Sequence, residues 1–219
     1  IRSGSKGVKK KNIKIINGKP LVYYSFITAK KTKIFSNIFV SSDSENFLNI
    51  CKKFGANDLV KRPKILSSDK SGKIEAIKHT LISAEKKYNT KYEYVIDLDA
   101  TSPLRTVDDI KKAYKKFLKS NSSNLFSVTN SNRSPYFNMV EIKNSKVQLV
   151  KKSKKQYLRR QDTPVTYDLN ASIYIWKRES LINNTKLIQN KTSIFVMPKS
   201  RSIDIDDTLD FKIVSQLLK

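Results

Sequence analysis

Short strand-type runs alternate with helical stretches along most of this chain, and that alternation leaves few folds open. Residues 37–43 read as a strand, Ser44 as the N-cap of a helix over 45–54, and Gly55 as its stop. Leu59 and Val60 lead into a loop at Arg62-Pro63, after which Ile74, Ile77, His79, Leu81, Ile82 and Ala84 mark an amphipathic helix over 74–88. A strand over 92–98 runs into Asp99-Ala100-Thr101-Ser102-Pro103, and the capping box Thr106-Val107-Asp108-Asp109 opens a helix to Lys119. Another strand follows at 125–129. The rhythm lapses from 132 to 167, where two short hairpin-like runs and the basic stretch 151–160 read as an excursion, a lid or dimerisation arm. It resumes with strands at 170–176 and 193–197 and helices at 177–181 and 207–218. This βαβ rhythm predicts a single α/β domain over 1–219, with a mostly parallel sheet, helices on both faces, and ligands at the carboxyl ends of the strands.

Composition narrows the function classes. One cysteine, Cys51, excludes an internal disulfide framework, and the single histidine, His79, leaves too few soft ligands for a Cys/His zinc site. His79 itself reads as a packed or surface residue of its helix. The longest apolar run, 21–27, contains two Tyr and a Ser, well short of the roughly 18 to 20 residues a membrane span needs. The chain opens polar and basic with no signal-peptide pattern, residue 1 reads as a cut through a longer chain, and a reducing cytoplasm is the expected compartment. The net charge of +25 would ordinarily raise nucleic-acid binding first. Yet only eight of the 44 cations are Arg, and a matching excess of Asn and Ile points to a coding bias that loads solvated faces with Lys.

Two constellations carry chemistry on their own residues. The first, residues 2–12, is a Gly/Ser loop with an Arg and several Lys; its backbone N–H groups suit an oxyanion, and Arg2, Lys6 and Lys11 suit a polyphosphate, although the Walker A spacing is absent. Lys9 and Lys10 read as surface charge. The second is Ile203-Asp204-Ile205-Asp206-Asp207, where alternation sets Asp204 and Asp206 on one face. Adjacent carboxylates repel unless a cation lies between them, and oxygen ligands suit Mg²⁺ or Mn²⁺. Asp207 reads as a helix N-cap.

More motifs follow in a fixed order: Asn17-Gly18-Lys19-Pro20-Leu21, Arg62-Pro63 with Leu66 and Asp69, Thr101-Ser102-Pro103-Leu104-Arg105, Arg159-Arg160-Gln161-Asp162 with Asn170, and Asp210-Phe211 after the acidic run. With the Arg2 to Asn12 loop they resemble, across essentially all 219 residues, the acylneuraminate cytidylyltransferases, the CMP-sialic acid synthetase family. The resemblance implies a Rossmann-like nucleotide-diphospho-sugar transferase fold whose first β-strand is represented here only by Ile1, and a homodimer joined through the 132–167 arm. It implies CMP transfer from CTP to the anomeric hydroxyl of a nonulosonic acid with release of pyrophosphate, and neither a specific nucleic acid nor a membrane as partner. Carried over by position, Arg2, Ser5, Lys6, Lys11 and Asn12 hold the triphosphate, and Arg62 and Ser71 receive the cytosine. Asp99, Ser102, Arg105, Arg160, Gln161 and Asn170 meet the acceptor sugar, with Arg160 on its carboxylate. Asp204 and Asp206 hold the metal, and Arg2, Lys11 and Asp204 act in catalysis.

Two departures stand out. Sialate enzymes of the family carry Gln-Pro where this chain has Asp99-Ala100, and an ionised Asp only accepts hydrogen bonds, so the facing sugar group must offer N–H or O–H. That favours a modified acceptor such as a legionaminic acid; Asp99 could instead help bind metal. The family's Asn-Gly is here Asn170-Ala171, which alters the backbone approach. The alternative readings are a CMP-Kdo-type or other sugar nucleotidyltransferase and, from another class, a basic nucleic-acid-binding protein.

Overall fold

A computed structural model describes residues 1–4, 7–68 and 71–218, so Ser5, Lys6 and Asp69 lie outside the described residues. The chain begins with a two-stranded hairpin, β1 (Ile15–Ile16) and β2 (Lys19–Pro20), turned by Asn17 and Gly18 at φ 45° and 75°. Both central residues at positive φ is the turn that matches strand twist, and Asn-Gly is the pair that adopts it readily. The apolar run after Pro20 becomes helix α1 (Leu21–Thr32), an element the alternation did not announce.

Strand β3 (Phe39–Ser42), helix α2 (Glu45–Lys53) and strand β4 (Asp58–Lys61) form a βαβ unit with β3 and β4 parallel. Ser44 caps α2 by accepting from the Phe47 amide at 3.4 Å. Helix α3 (Lys73–Tyr88), strand β5 (Tyr94–Leu98), helix α4 (Val107–Lys119) and strand β6 (Asn124–Asn130) follow, with the Thr106/Asp109 capping box formed as expected. The 132–167 excursion contains one hairpin, β7 (Val140–Lys143) and β8 (Lys146–Leu149), rather than two. Strand β9 (Tyr167–Lys177), helix α5 (Arg178–Asn183), strand β10 (Thr192–Val196) and helix α6 (Thr208–Leu217) complete the chain.

The main sheet has the order β10-β6-β9-β5. β10 and β6 are parallel, whereas β9 runs antiparallel to both β6 and β5, so the sheet is mixed at its centre. Alternate residues of β9 build the two cores. Tyr174 and Trp176 pack with Ile74, Ile77 and Leu81 of α3, while Ile173 and Ile175 pack with Ile110, Ala113 and Phe117 of α4. Helices therefore cover both faces. No helix among the described residues is long and apolar enough to cross a membrane.

The β6/β9 register shifts between Phe126 and Val128, and here Ala171 sits at φ 46°. Ser127 fills the irregularity: its hydroxyl donates to Asn170 Oδ1 at 2.7 Å and accepts from the Ile173 amide at 2.8 Å. A left-handed conformation costs a residue with a Cβ about 1 kcal/mol. Ala171→Gly is therefore expected to stabilise the fold by about 0.5 kcal/mol after the greater chain entropy of glycine is deducted. Thermal unfolding should show a rise of about 1–2 °C; a fall would show that Ala171 carries no strain.

Candidate active site

The N-terminal loop and the acidic motif meet, although they lie at opposite ends of the chain. A Cβ on Gly7 would overlap the carbonyl oxygen of Asp206, so only glycine lets the loop lie against that backbone. Lys11 donates to the Ile205 carbonyl and pairs with Asp206 Oδ1 at 3.3 Å. Asn12 is buried and its amide donates to the Arg2 carbonyl at 3.0 Å, closing the loop on itself. Ser3 anchors the far side, its amide and hydroxyl donating to the two oxygens of Asp43 at 2.9 and 2.5 Å.

The acidic motif is fixed from both flanks. Arg201, in the 3-10 turn just before it, grips Asp109 at the start of α4 with two bonds of 2.8 Å. The Ile205 amide donates to the Thr101 carbonyl at 2.8 Å. Asp207 caps α6, accepting from the Leu209 and Asp210 amides at 2.7 and 2.9 Å, as its sequence position suggested. Between these anchors Asp206 is exposed and Asp204 half-buried. Burial raises the Asp204 carboxyl above its ordinary value; Asp206 and Asp99 push the same way, against a Thr101 hydrogen bond and Lys11.

Asp204 Oδ1 is buried without a hydrogen-bond partner among the described residues. An orphaned carboxylate oxygen beside a second carboxylate is a fit for a hard divalent cation. Among the described residues no group of three or more His, Cys, Asp or Glu side chains is placed to hold a metal. Two carboxylates suffice for Mg²⁺, which keeps several waters and takes its remaining ligands from substrate phosphates.

Loop and motif lie at one end of a cavity of about 1000 Å³, most of which runs on between β3 and β5 as a slot lined by apolar side chains such as Phe26, Val40, Leu81 and Ile96. Arg2, Gly7, Lys11, Asn12 and Asp206 line it at one end, with Arg62, Ser71, Lys73, Asp97 and Asp99 further along. Arg62 is held by bonds of 2.8 Å to the Ser67 hydroxyl and the Ile1 carbonyl. Asp97 and Asp99 project from one face at the carboxyl end of β5, as the two-residue period requires. Lys73, the first residue of α3, lies 2.8 Å from Asp97 Oδ2, 2.5 Å from Asp99 Oδ2 and 3.5 Å above the Tyr174 ring. Burial alone would lower the Lys73 ammonium, but the two carboxylates outweigh it and hold it above its ordinary value. Neither Lys73 nor Asp97 was singled out from sequence. The alternation of β5 could have placed Asp97 beside Asp99; nothing in the sequence pairs Lys73 with them.

Three expected acceptor residues lie behind the cleft wall instead of on it. Ser102 is fully buried. Asn170 is 2% exposed and spent on the Ser127 hydroxyl, the Ser202 hydroxyl at 2.9 Å and the Met197 sulfur. Arg105 is 3% exposed and donates to Ser172 Oγ at 3.0 Å, to Ser25 Oγ at 2.7 Å and to the Asp99 carbonyl. None of the three lines the cleft: Arg105 and Asn170 are bonded into the framework, and the Ser102 hydroxyl is enclosed without a partner among the described residues. Arg160 donates to the Ser131 carbonyl at 3.2 Å and Gln161 is exposed; neither lines the cleft of a single chain. His79 is half-buried on α3 and also outside the lining.

Known proteins match this arrangement along its whole length. The chain is 41% identical over 218 residues to the post-translational flagellin modification protein B of Campylobacter coli, covering 100% of this chain and 92% of that one. It is 44% identical over 217 residues to the CMP-N,N'-diacetyllegionaminic acid synthase of Campylobacter jejuni, covering 99% and 92%. Among solved structures, CMP:2-keto-3-deoxy-manno-octonic acid synthetase complexed with CTP superposes with a TM-score of 0.72 at 14% identity over 100% of this chain and 95% of that one, a likeness of fold. The family described as Cytidylyltransferase matches residues 1–214, and the chain belongs to the cytidylyltransferases.

Proposed function

We propose that this protein transfers CMP from CTP to the anomeric hydroxyl of a nonulosonic acid of the legionaminic type, releasing pyrophosphate. The observation that carries the reading is the seating of the Gly7 loop and Lys11 on the Ile205-Asp206 backbone and the Asp206 carboxylate at one end of the cleft. Such a loop offers amides and cations to a triphosphate, and the carboxylates beside it offer a seat for Mg²⁺ or Mn²⁺. In the step itself the sugar hydroxyl oxygen bonds to the α-phosphorus and gives up its proton to solvent, the bond from that phosphorus to the bridging oxygen breaks, and pyrophosphate carries away the electron pair. Chemistry of this kind depends on positioning and charge more than on covalent help from the protein.

In this reading Arg2, Lys6 and Lys11 neutralise the triphosphate, Asn12 keeps the loop closed, and Arg62 and Ser71 face the cytosine. Asp204 and Asp206 would hold the metal, which when bound polarises the α-phosphate and makes the sugar hydroxyl more acidic. The 44% identity to a legionaminate enzyme supports the acceptor class, as does Asp99 where sialate enzymes resemble one another in carrying Gln. Homodimerisation through the 132–167 arm is part of the proposal. Val140, Ile142 and Val147 of its hairpin are 61%, 77% and 70% exposed, an apolar face that a second copy would cover.

The test is pyrophosphate release with CTP, Mg²⁺ and a panel of nonulosonic acids alongside Kdo. Turnover is expected with diacylated nonulosonic acids, at least tenfold faster than with Kdo in kcat/KM. No release with any nonulosonic acid sinks the assignment.

A further inference from the structure

We propose that Lys73 locks Asp97 and Asp99 into a fixed pair of hydrogen-bond acceptors that receives N–H or O–H substituents of the acceptor sugar, so that Lys73 acts as a specificity-determining positioning residue. The inference rests on the function proposed above and names the part of the cleft that reads the acceptor.

The starting point is an electrostatic conflict that the strand creates. β5 sets Asp97 and Asp99 on the same face, two residues apart, and their side chains are 27% and 31% exposed toward the cleft. Two ionised carboxylates so placed repel and would swing apart. Lys73 sits between them and touches Oδ2 of each, at 2.8 and 2.5 Å. Its own position is fixed twice, by the first turn of α3 and by the Tyr174 ring under its ammonium. Tyr174 is in turn 6% exposed and stacked on the buried Trp176, so the platform is part of the core. The result is a carboxylate pair held through its Oδ2 atoms by one ammonium, in ionic contact with Asp97 and hydrogen-bonded to Asp99, at the lining of the cleft.

Charge decides which ligand group this suits. One lysine against two carboxylates leaves the cluster net negative, so a phosphate brought to Lys73 would meet repulsion from both neighbours. The cations of the N-terminal loop are the place for the triphosphate. An ionised carboxylate donates nothing and accepts strongly, so the pair favours a substituent with N–H or O–H and disfavours one that only accepts. Location agrees: Asp99 is close enough to Asp204 for its charge to act on that carboxyl, so the cluster borders the reacting centre where the sugar hydroxyl must arrive. Of the other charged groups nearby, Arg105 is enclosed behind the wall and reaches Asp99 only through its carbonyl, while Arg62 and the Ile1 ammonium act on the pair from the N-terminal side of the cleft, where the nucleotide is assigned. An acylamino group is a donor of the required kind; a deoxy or O-methyl group at the same carbon is not.

Steady-state kinetics with wild type, Lys73→Met and Lys73→Arg test the inference. Two acceptors are used, a diacylamino nonulosonic acid and an analogue lacking one acylamino N–H. Lys73→Met is expected to raise the acceptor KM about tenfold or more, to leave the CTP KM within about twofold, and to flatten the preference between the two acceptors. Lys73→Arg, which keeps the charge, should restore most of that preference. A CTP KM that rises as far as the acceptor KM makes Lys73 a nucleotide cation and overturns the proposal; so does an unchanged acceptor KM. Should Lys73→Met fail to fold, Asp99→Asn carries the test. It keeps shape and one acceptor oxygen but loses the ion pair, and an unchanged acceptor preference in that variant overturns the proposal equally. Wild type without turnover on any nonulosonic acid refutes the function and the proposal together, whereas turnover with an unmoved acceptor KM refutes the proposal alone.

Discussion

An Asp204→Asn variant is expected to lose about 10³-fold in kcat for pyrophosphate release, while folding as well as wild type or slightly better in the absence of divalent ions. Loss of one preorganised charge at a reacting centre is commonly worth a factor of this size. The stability half of the expectation follows from the surroundings of the group. Burial raises the Asp204 carboxyl, Asp206 and Asp99 add to the rise, and Thr101 and Lys11 only partly offset them. A carboxyl raised in the folded state costs stability when ionised, so that cost appears as pH climbs from the ordinary carboxylate value through the raised one. Asn has the same shape and no charge, and its variant should lack this loss in an unfolding series from pH 3 to pH 7. Added Mg²⁺ should raise the melting temperature of wild type and leave the variant unmoved. Activity retained within threefold would remove Asp204 from the metal site.

The helical caps were legible because each is a local pattern: Ser44 before α2, Thr106 with Asp109 at α4, and Asp207 before α6 all cap as read. The meeting of the Gly7 loop with Asp206 was legible only through the family resemblance, since residues about 200 apart leave no mutual trace in spacing. Helix α1 went unread because its apolar residues are nearly continuous over 21–29 and lack a clear one-sided stripe. The antiparallel course of β9 was hidden for another reason. Strand direction depends on where the chain re-enters after the 132–167 excursion, and a period-two pattern is the same in both directions. Ala171 is the one departure from the family whose physical meaning became readable, as a left-handed residue at the irregularity. Asp99 stands out in the sequence as a departure from the sialate pattern, but its bond to Lys73, 26 residues away and on a different element, leaves no trace there.

Arg105 is a motif residue whose hydrogen bonds all run into the framework and not into the cleft. Truncation to Ala is expected to cost about 3–5 kcal/mol, a large share of the roughly 5–15 kcal/mol that stabilises an ordinary domain. The guanidinium joins three elements: Ser25 of α1, the Asp99 carbonyl at the end of β5, and Ser172 in β9. Burial lowers its pKa to about 10, with Asp99, Asp97, Asp204 and Asp109 working against the fall, so it stays charged at neutral pH. Removing it would leave the buried Ser172 hydroxyl without that partner, take one bond each from the Ser25 hydroxyl and the Asp99 carbonyl, which still bond to each other, and take a cation away from Asp97, Asp99 and Asp204. The melting temperature should fall by roughly 10 °C. Below the new transition any remaining activity should lose kcat and acceptor affinity together, because the Asp99 backbone is then held only by the Ser25 hydroxyl and the Ser172 carbonyl. An arginine that bound the sugar directly would give the opposite pattern, an unshifted melting temperature with a raised acceptor KM. Thermal unfolding of Arg105→Ala therefore separates the two roles: a shift below 2 °C would return Arg105 to the acceptor site, and a large one fixes it as the post on which the carboxylate wall is hung.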